Sequence, residues 1–411
     1  MTSPVTIRQC AVLVGGLGTR LGALTADTPK PILPCGDRPF LAWLLRECVR
    51  FGVEDFLLLT GHLSERVEAA AEAILPTLPG RPRIAICREP VRAGTGGALV
   101  HARERLDARF LLLNGDSLFD CNLANLLADA ARDGSDVIGR MVLRQLDDAS
   151  RFGVVTLDGD HVAAFRERPV AVGGGTINAG IYAFRRSLLD HVAPVCSLER
   201  DVLPRLAAQG TLRGTVGQGY FRDIGVPDDF AAAQTEVPRL LHRRALFLDR
   251  DGVINHDHRY VGTRERFEWT DGARAAIRHA TQSGWHVFVV TNQSGIARGF
   301  YSEADLAVLH DWMADEVRRE RGTIDDLRYC PYHPDGTVPA YRRHSDWRKP
   351  APGMLLDLMR AWELDPSRCV LIGDQASDLE AAGAAGMAAH RFTGGDLHAF
   401  VAQKLAAAET E

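Results

Sequence analysis

Short, nearly continuous apolar runs punctuate the chain at Gln9–Val14, Asp55–Thr60, Phe110–Asn114, Ala245–Asp249, His286–Thr291 and Cys369–Gly373. Runs this short, without polar alternation, predict strands covered on both faces, as in parallel sheets flanked by helices. Between them the spacing becomes helical. Pro39–Phe51 carries Phe40, Leu41, Leu44, Leu45, Cys48 and Val49 along one face and stops at Gly52. Asp271–Ser283 reads as a further helix. Ser302-Glu-Ala-Asp305 reads as a capped helix start, with Leu306, Leu309, Trp312 and Met313 behind it. Alternating strands and helices predict the α/β class with mostly parallel sheets.

At 411 residues the chain exceeds what one hydrophobic core usually serves, so two domains are expected. The polar, basic stretch Thr235–Arg244, containing Pro238, ends where a new strand begins at Ala245, which sets domains at 1–237 and 243–405. The formal net charge of −5 argues against a general nucleic-acid surface, so any phosphate chemistry must draw on local basic residues. Eight cysteines are scattered without a Cys-x-x-Cys pair and read as reduced thiols. The N-terminus lacks the charged-then-apolar pattern of a leader, and no apolar run approaches the ~20 residues of a bilayer span. The expectation is a cytoplasmic protein with neither membrane nor nucleic-acid partners.

The first apolar run leads into Gly15-Gly16-Leu17-Gly18-Thr19-Arg20-Leu21, and Thr28-Pro-Lys30-Pro31 follows. Glycines let backbone N–H groups approach phosphate oxygens that a Cβ would obstruct, while Arg20 and Lys30 bring positive charge to a polyphosphate. The pattern is neither G-x-G-x-x-G nor Walker A. Further on stand Glu89-Pro90, Gly94-Thr95-Gly96-Gly97-Ala98, Leu113-Asn114-Gly115-Asp116, Arg151-Phe152-Gly153, Phe165-Arg166-Glu167-Arg168, Ile177-Asn178-Ala179-Gly180 and Phe221-Arg222-Asp223. In this order, across nearly all of residues 1–235, they resemble the sugar nucleotidyltransferases, within them most of all the D-glycero-D-manno-heptose 1-phosphate guanylyltransferases.

That resemblance implies a Rossmann-like (GT-A-like) mixed sheet. It also implies a reaction in which a sugar phosphate oxygen attacks the α-phosphorus of a nucleoside triphosphate, GTP favoured, and pyrophosphate leaves. Such chemistry asks for alignment and charge neutralisation rather than covalent work by the protein. By resemblance, Asp116 and Asp223 bind Mg²⁺. Gly15, Gly16, Gly18 and Thr19 cradle the nucleotide, with Arg20 and Lys30 as the catalytic cations. Gly94, Thr95, Gly96 and Gly97 face the base, and Asn114, Glu167, Asn178 and Gly180 bind substrate. Arg168 stands where the family often has lysine, and its planar fork is less easily aimed at a single oxygen.

In the second half, Ala245-Leu-Phe-Leu-Asp249-Arg-Asp251-Gly252 ends an apolar run in two carboxylates, at the strand end where parallel sheets place ligands. One carboxylate can attack phosphorus while the other handles the leaving group's proton. Thr291-Asn292-Gln293-Ser294 ends another strand, Arg348-Lys349-Pro350 adds a lysine, and Ile372-Gly373-Asp374 through Asp378 ends a later strand. This order resembles the haloacid-dehalogenase-type phosphatases. It implies Asp249 as the nucleophile forming an aspartyl-phosphate and Asp251 as general acid/base. Thr291, Asn292 and Lys349 would surround the phosphoryl group. Mg²⁺ would be held by Asp249, Asp374 and the backbone carbonyl of Asp251, with Asp378 in support. The spacing between the first two motifs leaves room for one loop and one helix, so a capless parallel sheet flanked by helices is expected.

Asp-Arg-Asp-Gly-Val-Ile-Asn, Arg259-Tyr-Val and Thr-Asn-Gln-Ser-Gly-Ile-Ala-Arg-Gly bring the likeness closest to the D-glycero-D-manno-heptose 1,7-bisphosphate phosphatases. Ser294 stands where the related histidinol-phosphate phosphatases typically carry Asp, and Ser294 and Arg348 are expected to contact substrate. The loops His256–Trp269 and Cys330–Trp347 would shape specificity. The latter usually binds structural Zn²⁺ through Cys-x-His and Cys-x-Cys. Here Cys330 remains, but Tyr332, Ser345 and Trp347 occupy the other three places, so Zn²⁺ is not expected. A substitute set of Cys330, His333, His344 and Asp346 stays open, and His256 and His258 read as a solvated or substrate-facing pair.

Taken together, the resemblances imply a bifunctional enzyme. The second domain would remove the C7 phosphate of a heptose bisphosphate, and the first would join the resulting heptose 1-phosphate to a nucleotide. The rival reading keeps both reactions but changes the sugar, to a mannose- or muramate-type transferase joined to a histidinol-phosphate-type phosphatase.

Overall fold

The computed structural model describes residues 7–16, 18–167 and 173–410, which cluster into two units, Met1–Leu241 and His242–Glu411. The first unit is built on a nine-stranded sheet. Its order is Arg83–Arg88, Asp55–Thr60, Gln9–Leu13, Arg109–Asn114, Gly175–Arg185, Gly139–Leu146, Leu212–Gly217, His161–Glu167 and Gly153–Asp158. The first four strands are parallel, and Gly175–Arg185 then runs antiparallel to Arg109–Asn114. The sheet is therefore mixed. The apolar strands Asp55–Thr60 and Arg109–Asn114 are buried through their centres, as runs without alternation require.

The helix Phe40–Arg50 covers one face with Phe40, Leu41, Leu44, Leu45 and Cys48. A helix, Pro227–Leu241, runs through Pro238, and Ala233, Val237 and Leu241, four residues apart, bury one face against Cys35, Trp43 and Ile224. The polar residues of this stretch are the helix's outer face, so the first unit extends past Val237 to Leu241.

The second unit is a five-stranded, wholly parallel sheet in the order Asp326–Cys330, His286–Asn292, Ala245–Leu248, Cys369–Gly373 and Ala388–Arg391. Ala245–Leu248 is central and fully buried. The helix Ala273–Gln282 is the single long helix between the first two strands, and no cap domain is inserted there. Ser302 caps the helix Glu303–Arg319 in a reciprocal box with Asp305. No helix among the described residues is long and apolar enough to cross a membrane.

Candidate active sites

In the first unit the chain leaves the strand Arg109–Asn114 through Asp116 into the short strand Ser117–Phe119. That strand pairs antiparallel with Phe221–Asp223, setting Ser117 opposite Asp223, and the Ile224 N–H donates to the Asp116 carbonyl at 3.0 Å. The ribbon thus joins two carboxylates distant in sequence. Ser117 Oγ lies 3.4 Å from both Asp116 Oδ1 and Asp223 Oδ2, and the buried Lys30 Nζ pairs with Asp116 Oδ2 at 2.6 Å. Burial and the neighbouring Asp116 charge push the Asp223 carboxyl up, against the pull of Lys30 and Arg20. Two carboxylates in mutual repulsion, one of them largely buried, are a donor set that fits a divalent cation.

These acids border a cavity of about 240 Å³, also lined by Arg20, Thr95, Asn114, Arg151, Phe152, Glu167, Asn178, Gly180 and Glu199. A bulge between Asn178 and Tyr182 breaks the register of the long strand Gly175–Arg185 beside this cavity. Gly180 at its centre has φ +74°, and a Cβ there would stand 2.7 Å from Asn114 Nδ2, so both conformation and space require glycine. Asn178 Nδ2 donates to the Tyr182 hydroxyl at 2.6 Å and its Oδ1 accepts from the Gly180 N–H at 3.1 Å, which fixes the amide's orientation.

Other expected residues stand elsewhere. Gly15, Gly16, Gly18 and Thr19 do not line this cavity, and Lys30 lies beneath Asp116. The segment Gly94–Gly97 packs closely on a neighbouring loop. Gly96 and Gly97 are buried against Pro194–Cys196, and their N–H groups are spent on the Cys196 carbonyl, so neither presents a backbone donor to a base. Thr95 does reach the cavity, with its hydroxyl on Glu199 Oε2 at 2.7 Å. Gly94 is exposed. Arg168 lies outside the described residues.

In the second unit three strand ends converge. Asp249 follows the central strand, Thr291 and Asn292 end its neighbour, and Asp374 follows the strand on the other side. The buried Lys349 Nζ sits between Asp249 Oδ1 at 2.8 Å and Asp378 Oδ1 at 2.6 Å, and donates to the Val290 carbonyl at 2.9 Å. Asn292 holds the lysine's backbone in a reciprocal pair of 3.1 Å bonds. Burial pushes the Asp249 carboxyl up to about 7, against the Lys349 charge. Against the downward pull of its own burial, Lys349 is held above its usual range by Asp249 and Asp378. With an ammonium between two carboxylates, the geometry favours the ionised pair.

Asp249, Asp374 and Asp378 bring carboxylate oxygens within 4.8 Å of one another. Asp374 Oδ1 is buried without a hydrogen-bond partner, and burial followed by the Asp378 charge pushes its carboxyl up. A cation would satisfy both conditions, so these residues fit Mg²⁺. The carboxylate of Asp251, expected near the metal through its backbone, is engaged elsewhere. It takes two 2.9 Å bonds from Arg250 Nη2, one from Asn255 at 3.0 Å and one from Gln293 at 2.8 Å. Ser294 opens the short helix Ser294–Ala297, and Arg348 Nη1 reaches the Tyr332 carbonyl at 3.5 Å. Of the two histidines beside the active loop, both exposed, His258 pairs with Glu268 at 2.8 Å.

Residues 10–239 match the nucleotidyl transferase family and residues 346–404 the HAD-hydrolase-like family. A D-glycero-β-D-manno-heptose-1,7-bisphosphate 7-phosphatase of Rhodopseudomonas palustris is 54% identical over 163 residues, which are 40% of this chain and 91% of the relative. The chain joins a nucleotidyl transferase to a haloacid-dehalogenase-type phosphatase. A D-glycero-α-D-manno-heptose-1,7-bisphosphate 7-phosphatase of Burkholderia mallei is 44% identical over 147 residues, 36% of this chain and 78% of the relative. Among solved structures, HddC from Yersinia pseudotuberculosis complexed with GMP-PN is 28% identical, covers 56% of this chain and 98% of its own, and has a TM-score of 0.48.

The phosphatase unit holds a residue that sequence reasoning passed over. Arg250, between the two motif aspartates, is fully buried. Besides Asp251 it contacts the Val261 carbonyl, Gln293 Oε1 at 3.3 Å and His310 Nε2 at 3.1 Å. Burial and the Arg250 charge push His310 down, which leaves its ring neutral and able to accept. A charge set between two motif aspartates at the end of a buried strand was the available signal. Arg250→Ala strands these acceptors and opens a cavity, and is expected to lower the unfolding free energy by about 3 kcal/mol. Urea unfolding followed by tryptophan fluorescence checks this, because five of the six tryptophans lie in this unit. In the nucleotidyl transferase unit, Arg151 and Glu199 on the cavity wall were likewise not foreseen as site residues.

Proposed function

We propose that the chain performs consecutive steps on one heptose phosphate: the phosphatase unit releases the C7 phosphate of D-glycero-D-manno-heptose 1,7-bisphosphate, and the transferase unit joins heptose 1-phosphate to a nucleotide from GTP. The observation that carries the sugar is the 54% identity, across 91% of its length, to a protein named for that bisphosphate. The guanylyltransferase resemblance of the first half, over motifs that converge on one cavity, supports the second step and its nucleotide.

In the phosphatase unit, an Asp249 oxygen attacks phosphorus as the bond from phosphorus to the sugar C7 oxygen breaks, leaving an aspartyl-phosphate. Asp251 supplies the proton to the departing oxygen and takes one from the water that next attacks phosphorus, freeing phosphate and Asp249. Lys349 balances the phosphoryl charge, and Thr291 and Asn292 stand at the end of the adjacent strand. In the transferase unit, Lys30 fixes Asp116, Arg20 faces the polyphosphate beside Asp223, and Asn114, Glu167 and Asn178 bind the sugar phosphate. Mg²⁺, held by Asp116 and Asp223 in one unit and by Asp249 and Asp374 in the other, would offset phosphate charge. Carrying both sites on one chain raises the local concentration of the intermediate's second enzyme.

A substrate panel tests the reading. Phosphate release is measured on both anomers of the heptose bisphosphate, whose phosphatases both appear among the relatives, and on histidinol phosphate. Pyrophosphate release is measured with heptose, mannose and muramate-type 1-phosphates. Faster turnover of histidinol phosphate or mannose 1-phosphate than of the heptoses would remove the heptose assignment.

A further inference from the structure

The loop Cys330–Trp347 runs directly into Arg348 and Lys349, and so delivers the lysine that stands between Asp249 and Asp378. The donors present do not fit the zinc that such loops usually carry. Tyr332 approaches Cys330 Sγ only through its carbonyl, at 3.9 Å. Among the described residues, Asp249, Asp374 and Asp378 are the single group of His, Cys, Asp or Glu whose ligand atoms gather within 4.8 Å, so Cys330, His333, His344 and Asp346 do not converge.

A carboxylate joins the two arms of the loop. Glu303, the first residue of the helix Glu303–Arg319, accepts from the Tyr329 hydroxyl at 2.5 Å through one oxygen and from the Tyr341 hydroxyl at 2.6 Å through the other. Tyr329 lies on the strand that enters the loop, and Tyr341 closes the turn Pro339–Tyr341 on its far arm. The Tyr341 carbonyl accepts from the His333 N–H at 3.1 Å, and the Arg343 guanidinium lies 3.8 Å from the centroid of the Tyr332 ring. A negative charge at a helix N-terminus is favourable in its own right.

We propose that Glu303 is a positioning residue that takes the place of a structural metal: by joining Tyr329 to Tyr341 it clasps the two arms of the loop and sets Lys349 at the phosphoryl site without zinc. The activity part of this inference rests on the phosphatase reading above; the metal and loop parts do not.

The test uses the full chain expressed in zinc-supplemented medium. Zinc measured by plasma mass spectrometry is expected well below one atom per chain, and amide deuterium exchange across residues 330–347 is expected to be unchanged by a zinc chelator. Glu303→Ala should raise exchange in that segment about tenfold, as expected for loss of hydrogen bonds to a charged acceptor. It should lower phosphate release from a phosphomonoester by a similar factor and leave pyrophosphate release unchanged. Glu303→Gln, which still offers a carbonyl acceptor, should restore most of both. If Glu303→Ala fails to fold, Tyr341→Phe removes one of the two bonds and should show the same changes at smaller size. One zinc per chain with chelator-dependent protection of the loop would overturn the proposal. So would wild-type exchange in Glu303→Ala or, where that protein does not fold, in Tyr341→Phe.

Discussion

Asp249→Asn should abolish phosphate release, by a factor on the order of 10⁴ or more, and leave pyrophosphate release at the wild-type rate. An amide of the same shape has no anionic oxygen to attack phosphorus, so the loss falls on the chemical step. The fold should survive. Burial already works against the charge of Asp249, and Lys349 keeps Asp378 at 2.6 Å when the charge of Asp249 is removed. Phosphate release, pyrophosphate release and thermal unfolding measured on one preparation check all three expectations. Loss of both activities in folded protein would count against two separate sites.

The mirror change, Asp116→Ala, should lower pyrophosphate release by about three orders of magnitude, the scale of losing several kcal/mol of charge stabilisation. Phosphate release should stay intact. This substitution also strands the buried Lys30, whose ammonium pairs with Asp116 at 2.6 Å. A stability loss of roughly 2 kcal/mol should accompany it, because a buried charge without its partner keeps its desolvation penalty. Asp116→Asn separates the two effects: its amide oxygen still accepts from Lys30, so stability should largely return while activity does not. The comparison reads both variants by pyrophosphate release and by urea unfolding.

Much of the architecture was legible because it rests on short-range pattern. The apolar runs marked the central strands to within a residue or two at their ends, and the Ser302–Asp305 box marked a helix start. The parallel sheet of the phosphatase unit follows from buried strands alternating with helices. The transferase sheet does not. Its mixed order depends on Gly175–Arg185 entering antiparallel beside Arg109–Asn114, a long-range pairing that no local spacing encodes.

The same division holds for the sites. Asp249, Thr291 and Asp374 sit at strand ends that the sequence itself marks. By contrast, the meeting of Asp116 with Asp223 depends on a two-stranded ribbon between Ser117–Phe119 and Phe221–Asp223, and motif order alone pointed to it. Arg250 was passed over because a charge beside two aspartates looks solvated in one dimension, whereas in three it is fully buried among their supports. Gly96 and Gly97 show the converse ambiguity. Glycine serves a ligand's approach and a neighbouring segment's approach equally well, and here the neighbour is Pro194–Cys196.

The most direct measurement incubates the intact chain with D-glycero-D-manno-heptose 1,7-bisphosphate, Mg²⁺ and GTP, and reads the products by mass. The expected outcome is a GDP-heptose without a C7 phosphate, formed with one phosphate and one pyrophosphate per sugar. Unchanged bisphosphate, or a dephosphorylated heptose 1-phosphate that no nucleoside triphosphate converts to a nucleotide sugar, would contradict the account.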